Sequence, residues 1–173
     1  MLLNINNKIN ITLCGMMGSG KSALGKILAN KLNYNFIDVD KIIENVAKKT
    51  IKKIFEEDGE EYFRDLEEKI TIKFLKNKKT IVSLGGGAII NKKIRNYIKK
   101  NSYNIYLKVD IAILTKRLQN SKTRPLIYKK NLKKELINLI NKREKFYQKA
   151  YLIINNENNI IETTENIIKK IIN

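Results

Sequence analysis

Residues 15–22 read Gly-Met-Met-Gly-Ser-Gly-Lys-Ser, the spacing G-x-x-x-x-G-K-[ST], and no other stretch narrows the possible folds so strongly. A β-branched run at 9–14 leads into it. A run with apolar residues at intervals of three and four, 21–32, leads out. Strand, glycine-rich turn and helix in that order form a phosphate cradle: the glycines let the backbone curl until successive N–H groups converge on phosphate oxygens, and the helix adds the positive end of its dipole. In such a cradle Lys21 reaches the β- and γ-phosphates and Ser22 ligates the Mg²⁺ that bridges them. The motif implies nucleotide binding without naming the reaction, because kinases, ATPases, GTPases and regulators share it.

The rest of the chain alternates in the same way. Short β-branched runs predict strands at 9–14, 36–38, 81–84, 103–107 and 151–154. Helical spacing predicts helices at 21–32, 40–48, 60–75, 92–100, 111–119, 132–150 and 162–172. Such alternation makes an α/β fold with a parallel sheet and helices on both faces, whose ligands bind beyond the carboxyl ends of the strands. With no internal repeat and one proline, Pro125, residues 1–173 read as a single domain.

Composition excludes several chemistries. The chain has no histidine, so imidazole acid–base chemistry, Ser-His-Asp triads and histidine metal sites are absent, and catalysis falls to carboxylates, Lys, Arg, backbone dipoles or a bound metal. The single cysteine, Cys14, forms no intramolecular disulfide, which suits a reducing compartment. Residues 1–12 lack the zones of a secretory signal and no apolar run is long enough to span a membrane, so a cytoplasmic location without a membrane partner is expected. Lys+Arg 35 against Asp+Glu 17 gives a net charge of +18. The lysines are scattered through every segment beside Asn and Ile, as expected of exposed positions, so no nucleic-acid partner is expected; a polyanion footprint gathers on one element. A basic P-loop protein that binds nucleic acid is the competing reading, and steep salt dependence would mark it.

Five further stretches carry candidate chemistry. Asp38 and Asp40, two apart on what reads as extended chain, point to one side and can both face the nucleotide. The run at 81–84 ends without an acid, so the metal's carboxylate comes from elsewhere: Asp38, leaving Asp40 to orient an acceptor hydroxyl, although either can instead cap the next helix. In Phe63-Arg64-Asp65-Leu66-Glu67, Arg64 and Glu67 are neighbours on one helical face, by spacing alone a surface ion pair. Gly85-Gly86-Gly87 suggest a place where backbone approaches a ligand, or a plain turn. Arg124, held extended before Pro125, either closes over phosphates or is an ordinary exposed residue. Arg143, alone, reads as a surface residue.

Taken together, Gly15 to Ser22, Asp38-Val39-Asp40, Phe63-Arg64 with Glu67, Gly85-Gly86-Gly87, Arg124-Pro125-Leu126 and Arg143 resemble the shikimate kinase family over essentially the whole chain. The resemblance implies a P-loop NTPase-type three-layer α/β/α fold with five parallel strands in the order 2-3-1-4-5, a substrate-binding helical region at about 38–67 and a lid at about 120–133. It implies MgATP-dependent phosphorylation of the 3-hydroxyl of shikimate to shikimate 3-phosphate, within chorismate and aromatic amino acid biosynthesis, by a monomer. Gly15, Gly18, Ser19, Gly20, Lys21, Ser22 and Ala23 then hold the nucleotide, joined by Arg117, which matches a position that stacks on adenine in relatives, and by the lid arginine Arg124. Ser22 and Asp38 reach Mg²⁺; Asp40, Arg64, Gly85, Gly86, Gly87 and Arg143 bind shikimate; Lys21, Asp40 and Arg124 are catalytic; Glu67 holds Arg64 in place. The lid sequence Tyr128-Lys129-Lys130-Asn131-Leu132-Lys133 is richer in lysine than the family leads one to expect. Among enzymes, a gluconate kinase or a nucleoside monophosphate kinase is the competing assignment.

Overall fold

A strand buried on both faces belongs at the middle of a parallel sheet, and burial along this chain orders the strands accordingly. In the computed structural model, which describes residues 10–119, 131–157 and 159–172, all five residues of β1 (Asn10–Cys14) are buried. So are all four of β3 (Thr80–Ser83) and most of β4 (Ser102–Lys108). The partly exposed strands β2 (Asn35–Asp38) and β5 (Leu152–Asn155) take the edges. The order is β2-β3-β1-β4-β5, every neighbouring pair parallel, as expected.

The helices are α1 (Lys21–Leu32), α2 (Val39–Ala47), the single turn α3 (Ile51–Lys53), α4 (Gly59–Leu75), α5 (Lys92–Asn101), α6 (Ile111–Gln119), α7 (Leu132–Tyr147) and α8 (Ile160–Ile172). Successive side chains of a strand point to opposite faces, and two cores result. Ile11, Leu13, Ile81, Ile105 and Leu107 pack beneath α1 and α8 with Leu24, Leu28, Ile167 and Ile171. Cys14, Val82 and Tyr106 pack on the other face with Ile43, Phe63, Ile94, Leu136 and Tyr147 from α2, α4, α5 and α7. Buried polar groups in β1 are satisfied: the Asn10 amide donates to the Leu75 carbonyl (3.1 Å) and accepts from the Thr80 N–H (3.0 Å), tying the end of α4 and the start of β3 to the central strand.

The structure departs from the sequence reading at several element ends. β2 stops at Asp38 and α2 begins at Val39, so Asp40 stands in the first turn of a helix instead of on extended chain. α7 ends at Tyr147, three residues early: Gln148 still closes a helical bond onto Glu144, but Lys149 and Ala150 switch to tighter turn bonds onto Phe146 and Tyr147 before the chain enters β5. Three short elements have no counterpart in the sequence reading. α3, capped by the Thr50 hydroxyl, runs into a wide π-helical turn (Ile54–Asp58), and a 3₁₀ turn (Ala88–Ile90) follows the glycine run. The lid expected at about 120–133 lies, up to residue 130, outside the described residues, and Arg124 with it. Among the described residues no helix is long and apolar enough to cross a membrane.

Candidate active site

The carboxyl ends of β1, β2 and β3 bring together the P-loop, the two aspartates and the glycine run. Between Cys14 and α1 the loop turns through Gly18 (φ 77°) and Gly20 (φ 90°), left-handed values that explain glycine at both. The buried Lys21 folds its ammonium back over the loop, donating to the Gly15 and Met16 carbonyls, each at 2.9 Å. Ser22 and the exposed Ala23 follow in the first turn of α1. Two residues from beyond β4 and β5, toward the other edge of the sheet from β2, reach the loop. Arg117 of α6 donates to the carbonyls of Gly18 (3.3 Å) and Asn156 (3.1 Å), and the Asn156 amide donates to the Ser19 carbonyl (2.7 Å). Arg117 thus meets the P-loop directly, and Asn156 is a contact that nothing in the sequence signals.

Beside the P-loop opens a cavity of about 430 Å³, within the range of small-molecule sites. Ser22, Asp38, Asp40, Arg64, Gly85, Gly86, Gly87 and Arg143 all line it, so residues from distant stretches of sequence converge there. So do Met17, Lys41, Glu44, Ile51 and Phe55, which sequence reasoning misses. Ile51 of α3 and Phe55 of the π turn add apolar surface to the lining, which is what these two short elements bring to the cavity.

Arg64 and Glu67 are not the surface pair that spacing suggests. The Glu67 side chain is 2% exposed; Arg64 donates to it at 2.7 Å and to the exposed Glu60 at 3.1 Å. Burial pushes the Glu67 carboxyl above its ordinary value, against the pull of the adjacent Arg64 guanidinium. Its Oε1 finds no hydrogen-bond partner among the described residues, and neither does the Nε of Arg143. Arg143, which alone reads as a surface residue, is 5% exposed. A buried polar atom left unmet costs about 1–3 kcal/mol, so orphaned acceptor and donor groups at one cavity suit a guest that carries both hydroxyls and negative charge.

The glycine run serves this arrangement by what it lacks. None of Gly85, Gly86 and Gly87 adopts a positive φ. A Cβ at Gly85 would collide with Glu67 Oε1 and stand 2.8 Å from Asp40 Oδ1; one at Gly87 would stand 2.7 Å from an Arg64 nitrogen; one at Gly86, 3.4 Å from Arg143 and 3.5 Å from the Met17 N–H nitrogen. Side chains of the site, more than backbone freedom, require glycine here. The Tyr147 hydroxyl, one helical turn beyond Arg143, donates to the Gly86 carbonyl at 2.5 Å and fixes the run to α7.

Strand register explains the metal candidates. β3 ends at Ser83 where many P-loop proteins carry an acid, and Asp38 lies directly across from Ser83 on β2. Asp38 is therefore two strands from β1, roughly 9–10 Å at the usual spacing. Its carboxylate also accepts weakly from the Lys41 N–H (3.4 Å), so the capping role and the cavity-facing role coexist. A serine hydroxyl and a carboxylate are hard oxygen donors of the kind Mg²⁺ takes when phosphates and waters complete its shell. Among the described residues no group of three His, Cys, Asp or Glu gathers to hold a metal without such help.

A P-loop after the central strand, a 2-3-1-4-5 parallel sheet and an adjoining pocket of paired arginines and acids define a P-loop kinase of small molecules, ATP-dependent in its chemistry. More narrowly, the chain belongs to the shikimate kinase family, whose profile matches residues 17–173. It is 39% identical over 173 residues to a shikimate kinase of Bartonella quintana (strain Toulouse), covering 99% of this chain and 82% of that protein. It is 43% identical over 148 residues to one from Persephonella marina, covering 86% and 89%. Among solved structures, a shikimate kinase from Acinetobacter baumannii in complex with shikimate superposes with a TM-score of 0.90 at 31% identity, over 93% of this chain and 91% of that one. A gluconokinase from Sinorhizobium meliloti, at 15% identity and a TM-score of 0.60, shares the fold alone.

Proposed function

We propose that this kinase transfers the γ-phosphoryl group of ATP to the 3-hydroxyl of shikimate, giving shikimate 3-phosphate and ADP. The observation that carries the reading is the pocket itself: Arg64 and the buried Arg143 face one cavity with Asp40, next to Lys21 and the P-loop. Two guanidinium forks suit a carboxylate, and the acids suit ring hydroxyls. The P-loop amides and Lys21 hold the β- and γ-phosphates, and Arg117 borders the nucleotide from α6. Asp40 orients the acceptor hydroxyl, whose oxygen bonds to the γ-phosphorus as the bond from that phosphorus to the β–γ bridging oxygen breaks; the hydroxyl proton leaves late, to Asp40 or water. The transition state of phosphoryl transfer is loose, so orienting the acceptor hydroxyl matters more than removing its proton early. Ser22 and Asp38 would hold Mg²⁺, which when bound neutralises charge on the transferring phosphoryl group. Arg124 would approach the same charge from the lid. The protein works as a cytoplasmic monomer, without nucleic-acid or membrane partners.

A coupled ADP-release assay over shikimate, gluconate and nucleoside monophosphates tests the assignment. Shikimate is expected to be turned over far faster than the others. Faster use of gluconate or a nucleotide would replace the substrate. No transfer to any small acceptor, together with duplex binding that weakens steeply with salt, would replace the function.

A further inference from the structure

The outer grip on the P-loop joins segments far apart in sequence. Asn156 follows the last strand and is 4% exposed. Its own N–H donates to the Lys108 carbonyl at 2.8 Å, anchoring it to the end of β4. Its side-chain amide donates to the Ser19 carbonyl at 2.7 Å. A main-chain carbonyl can only accept, so the atom facing it is the NH₂ group. Arg117 closes the clasp by donating both to the Asn156 carbonyl and to that of Gly18. Two consecutive carbonyls of the loop are therefore drawn outward.

With the carbonyls drawn outward, the N–H groups turn inward. In a trans peptide the C=O and the N–H of one unit point opposite ways, and the described chain has no cis bond. With the Ser19 carbonyl held on Asn156, the N–H of the same peptide, that of Gly20, faces away from the clasp. Gly20 makes the turn at φ 90°, and its Cα presses so closely on Asn156 that a Cβ would come within 2.6 Å of the amide nitrogen. Turned the other way, the peptide would aim an acceptor at the phosphates and lose a buried hydrogen bond.

We propose that Asn156 is a positioning residue for the nucleotide: it holds the Ser19 carbonyl outward and so aims the Gly20 N–H at the polyphosphate, while its own carbonyl seats Arg117 beside the loop. This rests on ATP being bound by the P-loop. Asparagine suits the task because aspartate of the same shape has no donor and alanine has neither donor nor bulk.

The test compares Asn156→Asp and Asn156→Ala with the unaltered enzyme, reading the KM for ATP, the KM for shikimate, the Kd for ADP by calorimetry, and thermal unfolding. Loss of one oriented hydrogen bond is expected to weaken ADP and raise the KM for ATP by about three- to tenfold, with the KM for shikimate unchanged within about twofold. Aspartate is expected to be the worse variant, because it keeps the volume and sets a negative oxygen against the Ser19 carbonyl; a packing role predicts the reverse order. Equal rises in both KM values, alanine worse than aspartate, or no change in ADP affinity would each overturn the proposal. If the unaltered enzyme binds ADP yet does not phosphorylate shikimate, the substrate assignment fails and the comparison of ADP affinities still decides the role of Asn156.

Discussion

Replacing Gly87 with alanine should separate activity from stability. The backbone there lies at φ −96°, ordinary for any L residue, so alanine brings no strain of its own, and its stiffer unfolded chain favours the folded state by about 0.4–1 kcal/mol. The new methyl would nevertheless stand 2.7 Å and 2.9 Å from the two terminal nitrogens of Arg64 and 3.1 Å from its Cζ. Ordinary contact begins near 3.4 Å, so the guanidinium must withdraw by about 0.7 Å. It is the far end of a flexible chain and can do so cheaply, pivoting on Glu67 and Glu60. The fork then no longer meets the acceptor's carboxylate squarely. A misplacement of about 1 Å in a positioning group costs up to about a hundredfold, so kcat/KM for shikimate should fall roughly ten- to a hundredfold, about 1.4–2.7 kcal/mol of transition-state binding. The KM for ATP should stay within about twofold and the Tm within about 4 °C. Coupled ADP release, titrating each substrate in turn, and a thermal melt make the measurement. An unchanged kcat/KM for shikimate would refute the claim that position 87 lacks a side chain in order to seat Arg64.

Asp40→Asn should lower kcat at least about tenfold while leaving ATP binding intact; full turnover in steady-state assays would remove Asp40 from its role. Gly25→Ala probes the opposite case, because a Cβ there would meet Phe36 Cε2 at 2.5 Å and Leu13 Cδ1 at 3.0 Å inside the core. It should cost about 1–3 kcal/mol of stability, read by urea unfolding, with both KM values unmoved. Glu67→Gln should alter the pH dependence of stability. Burial holds the folded carboxyl above its ordinary 4.5, so the proton binds more tightly in the folded state, and the stability that it contributes is present in full below 4.5 and lost as pH rises through the raised value. Urea melts from about pH 4 to about pH 7 should therefore show the stability of the unaltered enzyme minus that of the variant falling as pH rises; a rising or flat difference would contradict the shift.

Features set by adjacent residues are legible in the chain's own order. The P-loop is a contiguous string, and the strand pattern follows from short β-branched runs set between stretches of helical spacing. Features set by distant residues are not legible in this way. Arg143 looks like one more cation in Lys142-Arg143-Glu144-Lys145, and only the packing of α7 on the glycine run turns it inward. Glu67 reads as a solvated partner of Arg64 until the fold covers it. Extended chain puts Asp40 in the right cavity for the wrong reason, since it is a helix turn that brings it there. The glycine run suggests backbone close to a ligand; the fold sets it in the cavity lining and adds a reason that the sequence does not show, room for Arg64, Glu67 and Asp40. A sequence shows that a side chain is missing; only the neighbours show why.

The P-loop pattern leaves four positions unspecified, and two of them join the general cradle to the particular acceptor pocket. Met17 lines the cavity beside Ser22. Met16, 2% exposed, places its sulfur 3.8 Å from the Tyr147 hydroxyl and 4.0 Å from the Arg143 guanidinium. The space that a Cβ would take at Gly86 is bordered by Arg143 and by the backbone of Gly15 and Met17, and the Gly86 carbonyl is held by Tyr147. Loop, glycine run and arginine helix thus meet in one buried joint, where close packing leaves little play. Phosphoryl transfer depends on the distance and alignment of two bound molecules, so under the proposed function this joint would set the spacing between phosphate and acceptor, with residues that a nucleotide-binding motif leaves free to vary. Those residues carry the specific part of this site, which is why the motif alone implies a nucleotide and leaves the acceptor to the fold.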